Sequence, residues 1–222
     1  MSTKKSTAIK ICGITTSSQA KSIAKLGVNA IGVIGVKNSK RFVSEAKTSE
    51  IFKEIESVSS KIERVLVTVN ITDAEINQSI NLNTPPSVIQ LHGNESPARC
   101  QSIKKNFPSI KLWKALRVRD ERSFKEIALY EEQVDALLLD AWHGVQLGGT
   151  GKRIPLKLLK GFKTKLPWWL AGGICAEYIP EVLSIVTPDG IDASSQLEIS
   201  PRLKDINKIC SLLAAVKKHK RE

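Results

Sequence analysis

The chain has 222 residues, of which 41% are hydrophobic and 25% charged, a composition typical of a globular protein with a sizeable core. Its net charge of +12 comes from lysines and arginines spread along the sequence, which favours a basic surface over a nucleic-acid-binding patch. No apolar run approaches the ~20 residues that cross a bilayer, and residues 1–8 lack the apolar segment of a secretory signal, so we predict a cytoplasmic protein.

The cysteines are widely separated, and none belongs to a C-x-x-C pair. Neither a disulfide framework nor a zinc site is therefore expected, which agrees with a reducing compartment. We also expect no nucleic-acid partner and no membrane partner.

Short apolar runs alternate with amphipathic stretches along the chain. The apolar runs predict strands near 8–13, 30–35, 63–70, 87–91, 110–117, 135–139, 168–172 and 190–193. The amphipathic stretches predict helices at 17–26, 44–58, 72–82, 96–105, 121–131, 155–162, 176–187 and 204–218. Ser44 and Thr72 lie at N-cap positions, and only Thr72 has a glutamate, Glu75, three residues later to form a capping box.

Eight strand–helix alternations predict parallel strand pairing, because each helix supplies a crossover connection. Eight such units can close into a barrel, whereas a doubly wound open sheet is the competing α/β architecture. No G-x-G-x-x-G or G-x-x-x-x-G-K-[ST] motif follows the first strand, and no proline-rich linker divides the chain. We therefore predict an α/β fold, a single-domain (β/α)8 TIM barrel over residues 1–222, with its core at about 8–218.

In a barrel of this type, catalytic groups lie at the C-terminal ends of the strands and in the loops that follow them. Cys12 ends the first predicted strand and shares a strand face with Lys10. An ammonium group beside a thiol favours the thiolate, which can act as a base or a nucleophile. The alternative is that Cys12 is a small buried apolar residue, as most free cysteines are.

Asp140 closes the apolar run of the sixth strand. A carboxylate at this position must reach solvent or find partners. Partial burial would raise its pKa and suit it to general acid catalysis. A capped loop carboxylate without a catalytic role is the alternative.

Three loops rich in glycine or serine follow the last three strands. Clustered glycines let backbone N–H groups approach a phosphate closely, and the loops after strands seven and eight are where barrels commonly bind phosphate. We therefore expect a phosphorylated small-molecule substrate. The residues concerned are Gly149, Gly172, Gly173, Ser194 and Ser195.

Further polar side chains lie on the same predicted rim. Arg41, in the loop after strand two, has the planar fork that suits a carboxylate, with an exposed loop charge as the alternative. Gln90 and His92 share a strand face and are either rim ligands or structural polar groups. Asp192 ends strand eight, and we include it among the candidate substrate-binding residues.

Nine short stretches of the sequence carry a family resemblance over residues 9–217. They are residues 10–15, 39–44, 69–70, 90–95, 114–118, 135–140, 148–152, 170–174 and 192–195. Each stretch is modest alone, but their order and spacing together are specific. In this respect the chain resembles the phosphoribosylanthranilate isomerases.

The resemblance implies an Amadori rearrangement in the third step of tryptophan synthesis, without a metal or any other cofactor. By position, Asp140 would be the general acid that protonates the ribose ring oxygen, and Cys12 the general base that removes the C2 proton. Arg41 would hold the anthranilate carboxylate, and the glycine and serine loops would bind the phosphate. The family also implies a monomer or a homodimer.

Three segments depart from the family pattern. Residues 153–156 read Arg-Ile-Pro-Leu where an aromatic and an acidic residue are usual, residues 36–40 lack an aromatic-proline character, and Gln196 replaces a glycine. We expect an active enzyme with altered substrate affinity or loop dynamics. The competing interpretations are another phosphosugar isomerase or epimerase on the same barrel, and a nucleic-acid-binding or catalytically silent barrel.

Overall fold

The computed structural model describes residues 6–141 and 153–219. Within these residues strands alternate with helices in the predicted order. The first eight strands are β1 (Ala8–Cys12), β2 (Ala30–Ile34), β3 (Glu63–Thr68), β4 (Val88–Leu91), β5 (Lys111–Val118), β6 (Ala136–Ala141), β7 (Trp168–Leu170) and β8 (Gly190–Ala193). The α-helices are α1 (Ser17–Ala24), α2 (Glu45–Val58), α3 (Asp73–Ile80), α4 (Pro97–Asn106), α5 (Ser123–Ala128), α6 (Leu156–Leu159), α7 (Ile179–Ile185) and α8 (Ile206–His219).

These strands form a closed parallel barrel, in which each strand pairs with the next and β8 pairs with β1. This confirms the predicted (β/α)8 barrel and excludes the open sheet. None of the helices in the described ranges is long and apolar enough to cross a membrane.

The element bounds differ from the prediction at a few points. β3 ends at Thr68, and the chain then turns through Asn70, whose φ is +51°. The sequence analysis missed an antiparallel hairpin formed by β9 (Glu198–Ser200) and β10 (Leu203–Lys204). Strands this short show no clear alternation of apolar and polar residues, so sequence periodicity does not reveal them.

The capping box at the start of α3 is confirmed. Thr72 Oγ1 accepts a hydrogen bond from the Glu75 backbone N–H, and the Glu75 carboxylate accepts one from the Thr72 backbone N–H. Ser44 lies at the N-cap of α2, as predicted, but its side chain makes no capping hydrogen bond.

The barrel wall separates two apolar cores, one outside the barrel and one inside it. The larger core packs the outward side chains of the strands against the helices and includes Ile31, Phe52 and Leu212. The smaller core fills the barrel interior, where Trp113 and Trp169 lie with ring centroids 4.8 Å apart. These large rings fill much of the space inside the barrel.

Gly190 makes the space that the Trp169 ring occupies. A Cβ at this position would lie 2.2 Å from Trp169 Cε3, a distance at which the ring or the strand must move. We expect Gly190→Ala to lower the free energy of unfolding by about 1–3 kcal/mol, the usual cost of an overpacked core. Urea denaturation followed by tryptophan fluorescence measures this change.

Gly35→Ala is the matched control for this prediction. A Cβ there would be tight only against the end of the flexible Leu66 side chain, at 3.2 Å, and would lie at an ordinary contact distance of 3.7 Å from the Val67 carbonyl oxygen. We therefore expect a smaller loss of stability than at Gly190. Equal unfolding midpoints for Gly190→Ala and the unmodified chain would contradict the prediction.

Candidate active site

The C-terminal mouth of the barrel brings together three of the predicted site residues around Gly13. Cys12 is the last residue of β1 and is 6% exposed. Ser194, directly after β8, donates a hydrogen bond from Oγ to the Cys12 carbonyl oxygen at 3.0 Å. Gly13 has a φ of +80°, and a Cβ there would lie 2.6 Å from Arg41 Cδ and 3.2 Å from Ser194 Oγ. The side chains of Arg41 and Ser194 therefore meet beside the end of β1.

Lys10 and Cys12 share the inward face of β1, as strand alternation predicts. Lys10 is completely buried, and its Nζ lies 3.0 Å from Asp192 Oδ2 on the adjacent strand β8. Gly32 on β2 pairs with Cys12, and a Cβ there would lie 2.7 Å from Cys12 Sγ and 3.2 Å from Lys10 Cε. The missing side chain at Gly32 makes room for the thiol and the lysine side by side.

Burial raises the pKa of the Cys12 thiol above its usual value, and the nearby Asp192 carboxylate adds to the increase. The positive charges of Lys10 and Lys204 oppose this increase without overcoming it. The net shift is therefore opposite to the expectation that Lys10 makes the thiolate the favoured form. Burial lowers the pKa of Lys10, but Asp192 and Cys12 outweigh burial, so that pKa lies above its usual value.

Asp140 lies at the same mouth, on β6, and is 8% exposed. Its Oδ1 accepts a hydrogen bond from the Ala141 backbone N–H at 2.8 Å, and its Oδ2 lies 3.4 Å from His92 Nε2. Gln90 Nε2 lies 3.4 Å from His92 Nδ1, so three predicted rim residues form one connected row. Because β7 and β8 separate β6 from β1, the Asp140 carboxyl and the Cys12 thiol enter the mouth from different strands. A raised pKa for Asp140 stays a prediction.

A buried ion pair supports the loop that carries His92. Lys114 Nζ, on β5, lies 2.8 Å from Glu95 Oε2 and also donates to the Gly93 carbonyl oxygen at 2.8 Å. Glu95 accepts hydrogen bonds from the backbone N–H groups of Asn70 and Gly93, at 2.6 and 3.0 Å. The pair thus joins the ends of β3, β4 and β5. The sequence analysis included both residues in family-like stretches but gave them no role.

The guanidinium of Arg41 binds a carboxylate of the chain itself. Arg41 Nε and Nη2 donate to Glu198 Oε1 and Oε2 at 2.7 and 2.6 Å. Lys204 on β10 donates to the same Glu198 Oε1 at 2.9 Å and to the Ser194 carbonyl oxygen at 3.1 Å. Burial raises the pKa of Glu198, but the hydrogen bonds from Arg41 and Lys204 outweigh burial and hold that pKa below its usual value. Sequence periodicity did not indicate Glu198 or Lys204, because both lie on the hairpin of the short strands β9 and β10.

The loops after β7 and β8 have the backbone geometry that the sequence predicts for close approach to a ligand. Gly172 and Gly173 adopt φ angles of +94° and +62°, a region that favours glycine. Ser194 comes immediately before a one-turn 3₁₀ helix, Ser195–Leu197. Gly149, on the remaining predicted phosphate loop, lies outside the described residues.

Arg153, from one of the segments that depart from the family pattern, packs against the loop after β7. Its Nε donates to the Gly173 carbonyl oxygen at 3.3 Å, and its guanidinium lies 3.8 Å from the centre of the Tyr178 ring. An arginine over an aromatic ring at this distance is a favourable cation–π contact. The departure from the family pattern therefore adds a positive charge beside Gly173.

A cavity of about 630 Å³ opens at the opposite, N-terminal end of the barrel. Its lining includes Asn29, Asp189 and Val216, and it includes neither Cys12 nor Asp140. The Cys12 thiol and the Asp140 carboxyl therefore lie at the end of the barrel opposite this cavity. In the parts of the chain that the structure describes, no group of three or more His, Cys, Asp or Glu side chains is placed to hold a metal ion.

Comparison with known sequences identifies relatives over nearly the whole chain. The family profile described as N-(5'phosphoribosyl)anthranilate (PRA) isomerase matches residues 9–215. An N-(5'-phosphoribosyl)anthranilate isomerase from Thermosynechococcus vestitus is 41% identical over 209 residues, which cover 93% of this chain and 88% of the relative. A protein of the same name from Nostoc punctiforme is 41% identical over 204 residues, which cover 92% of this chain and 95% of the relative.

Comparison with solved structures agrees. Phosphoribosyl anthranilate isomerase from Thermotoga maritima has a TM-score of 0.85 at 28% identity, covering 96% of this chain and 99% of that one. A phosphoribosyl anthranilate isomerase in complex with reduced 1-(o-carboxyphenylamino)-1-deoxyribulose 5-phosphate has a TM-score of 0.80 at 26% identity, covering 96% of this chain and 99% of that one. The chain therefore belongs to the N-(5'-phosphoribosyl)anthranilate isomerase family.

Proposed function

We propose that this chain isomerises N-(5'-phosphoribosyl)anthranilate to 1-(2-carboxyphenylamino)-1-deoxyribulose 5-phosphate, the third step of tryptophan synthesis from chorismate. One observation carries the proposal: the barrel mouth of this family member holds a buried thiol, Cys12, and a buried carboxyl, Asp140, on different strands. An aldose–ketose isomerisation moves protons at two positions of a sugar and therefore needs an acid and a base. The structure bound to the reduced product of this reaction, described for a relative, supports the assignment.

In the proposed mechanism, Asp140 donates its proton to the furanose ring oxygen. The bond between C1 and this oxygen breaks, and the ring opens to a protonated Schiff base at the anthranilate nitrogen. Cys12, as the thiolate, removes the proton from C2, and the electron pair of that bond forms the C1=C2 bond of an enolamine. The C2 hydroxyl then loses its proton and C1 gains one, which gives the ketone.

Two buried oxygen atoms of the site accept no hydrogen bond from the described residues, and the hydroxyls of a bound sugar can donate to them. Asp192 Oδ1 and Gln90 Oε1 are buried and accept no hydrogen bond from residues 6–141 or 153–219. A buried acceptor without a donor costs free energy, and a bound sugar hydroxyl removes that cost. We therefore assign Asp192 and Gln90 to substrate binding, with His92 next to Asp140.

We assign the two anionic groups of the substrate to different residues of the barrel mouth. Arg41 binds the anthranilate carboxylate through its guanidinium, which is suited to planar anions. The phosphate binds at the loops after strands six, seven and eight, because loops rich in glycine or serine let backbone N–H groups approach an anion closely. The residues of this phosphate site are Gly149, Gly172, Gly173, Ser194 and Ser195.

The proposed reaction uses no cofactor, because side chains of the chain perform both proton transfers. Cys12, Cys100, Cys175 and Cys210 are all free thiols, which agrees with a reducing compartment, and we place the enzyme in the cytoplasm. A structure of the Thermotoga maritima relative concerns monomers generated from a dimeric enzyme. We therefore propose a monomer or a homodimer for this chain.

Replacing either proton-transfer group should remove most of the turnover. We expect Cys12→Ala and Asp140→Asn each to lower kcat by about 10²–10⁴-fold in a folded protein, the usual contribution of a general acid or base. The decay of anthranilate fluorescence, with the substrate generated in situ, measures the rate. Cys210→Ala, at an exposed cysteine on α8, is the matched control and should keep normal turnover. Near-normal kcat in Cys12→Ala or Asp140→Asn would contradict the acid–base assignment.

Removing the Lys10 charge should make Cys12 a weaker acid. Burial and Asp192 raise the pKa of Cys12 while Lys10 lowers it, so Lys10→Met should raise the thiol pKa further. The acidic limb of the kcat/KM profile, which reports the base of the free enzyme, should then move to higher pH. The pH dependence of Cys12 alkylation by iodoacetamide, followed by mass spectrometry, measures the thiol pKa directly.

Lys114→Met is the matched control for the titration. Lys114 is also a buried lysine paired with a carboxylate, but it supports the His92 loop and not the thiol. Its replacement should leave the alkylation profile of Cys12 where it is. If the pH dependence of Cys12 alkylation in Lys10→Met equals that of the unmodified chain, Lys10 has no electrostatic effect on the base.

Loss of Arg41 should affect substrate binding more than turnover. We expect Arg41→Ala to raise KM about 10- to 100-fold, because hydrogen bonds to charged groups contribute about 1.5–3 kcal/mol. Arg41→Lys keeps the charge but lacks the planar fork, so its KM should lie between that of the unmodified chain and that of Arg41→Ala. Steady-state kinetics at saturating and limiting substrate separate KM from kcat. Unchanged KM and kcat/KM in Arg41→Ala would rule out the carboxylate role.

A further inference from the structure

Arg41 can bind a substrate carboxylate only if the carboxylate of Glu198, already bound to it, is neutralised. Arg41 uses Nε and Nη2 for Glu198, and Nη1 makes no hydrogen bond within the described residues. A ligand carboxylate at Nη1 would lie close to the negative charge of Glu198. Like charges in a site of low dielectric constant repel strongly, so the Arg41–Glu198 pair alone is a poor site for an anion.

Lys204 supplies the missing positive charge. Its Nζ lies 2.9 Å from Glu198 Oε1, and the two side chains are 0% and 5% exposed. With Lys204 included, the group has two cations and one carboxylate, so it carries one net positive charge. The single negative charge of a substrate carboxylate balances this net positive charge. A neutral ring substituent leaves the positive charge buried without a partner.

Lys204 also lies too deep to contact the substrate. Its side chain has no exposed surface, and its other hydrogen bonds are to the carbonyl oxygen and the Oγ of Ser194, at 3.1 and 3.5 Å. Lys204 can therefore affect ligand choice through Glu198 and Arg41, through Ser194, or through its charge near Cys12. Of these routes, only the one through Glu198 and Arg41 ends at the group that would bind the ligand carboxylate.

We propose that Lys204 is a positioning residue that determines specificity for a ring carboxylate, by neutralising Glu198 and leaving Arg41 with a net positive charge for the substrate. The inference rests on the proposed function, because it concerns the same carboxylate site. It extends that function by naming the source of the discrimination between an N-aryl substrate with a carboxylate and one without.

The test measures the binding of two ligands by calorimetry. One ligand is reduced 1-(o-carboxyphenylamino)-1-deoxyribulose 5-phosphate, and the other is the same compound made from aniline, without the carboxylate. The ratio of the two dissociation constants gives the carboxylate selectivity. We expect Lys204→Met to lower this selectivity at least about tenfold, mainly through weaker binding of the carboxylate ligand.

A charge-restoring double variant separates electrostatics from structure. Lys204→Met combined with Glu198→Gln removes one charge of each sign, so Arg41 again provides one net positive charge. We expect this double variant to recover carboxylate selectivity to within about threefold of the unmodified chain. If Lys204→Met does not fold, Lys204→Gln removes the same charge and keeps hydrogen-bond donors for Glu198 and Ser194.

Lys208→Met is the matched control, because Lys208 donates to the Glu198 backbone carbonyl oxygen and not to its carboxylate. It should leave the selectivity unchanged. Equal weakening of both ligands in Lys204→Met, or no recovery in the double variant, would overturn the role of Lys204. If the unmodified chain binds neither ligand, the proposed function itself is wrong, and this inference is wrong with it.

Discussion

The burial of charge is the constraint on which the barrel mouth depends. A lysine without solvent contact must have an anionic partner, because an isolated charge in a protein interior is too costly to keep. Three buried lysines of the described chain meet this requirement with carboxylates that are themselves at most 9% exposed. The pairs are Lys10 with Asp192, Lys114 with Glu95, and Lys204 with Glu198. Each pair lies next to one position to which we assign a function: the Cys12 thiol, the His92 loop or the Arg41 guanidinium.

These pairs arrange the site more than they stabilise the fold. The desolvation of two charges largely offsets their attraction, so a buried pair contributes little net free energy of folding. Removing one partner, however, costs about 3–5 kcal/mol, because the other charge is left uncompensated. Each pair therefore enforces one arrangement of segments that lie apart along the chain. Lys10 joins β1 to β8, and Lys114 connects β5 to the loop after β4.

The sequence predicts those parts of the molecule that follow from local periodicity. Alternation of apolar strands and amphipathic helices predicted the barrel, and two-residue alternation placed Lys10 beside Cys12. The pairing of Arg41 with Glu198 spans 157 residues and involves a hairpin of two very short strands, so no local pattern indicates it. The local sequence also could not predict the net pKa shift of Cys12, because the burial of the thiol depends on how the whole barrel closes.

The buried charges of the barrel mouth affect both the pKa of the proposed base, Cys12, and the binding of the substrate. Burial makes the thiolate of Cys12 unfavourable, and a substrate with a carboxylate and a phosphate would bring further negative charge that disfavours it. Lys10 and Lys204 both oppose this effect, and each also pairs with a buried carboxylate, Asp192 or Glu198. The two lysines that pair with Asp192 and Glu198 therefore also affect the acidity of the proposed base. The affinity of the site and the strength of its base are consequently properties of one network of charges.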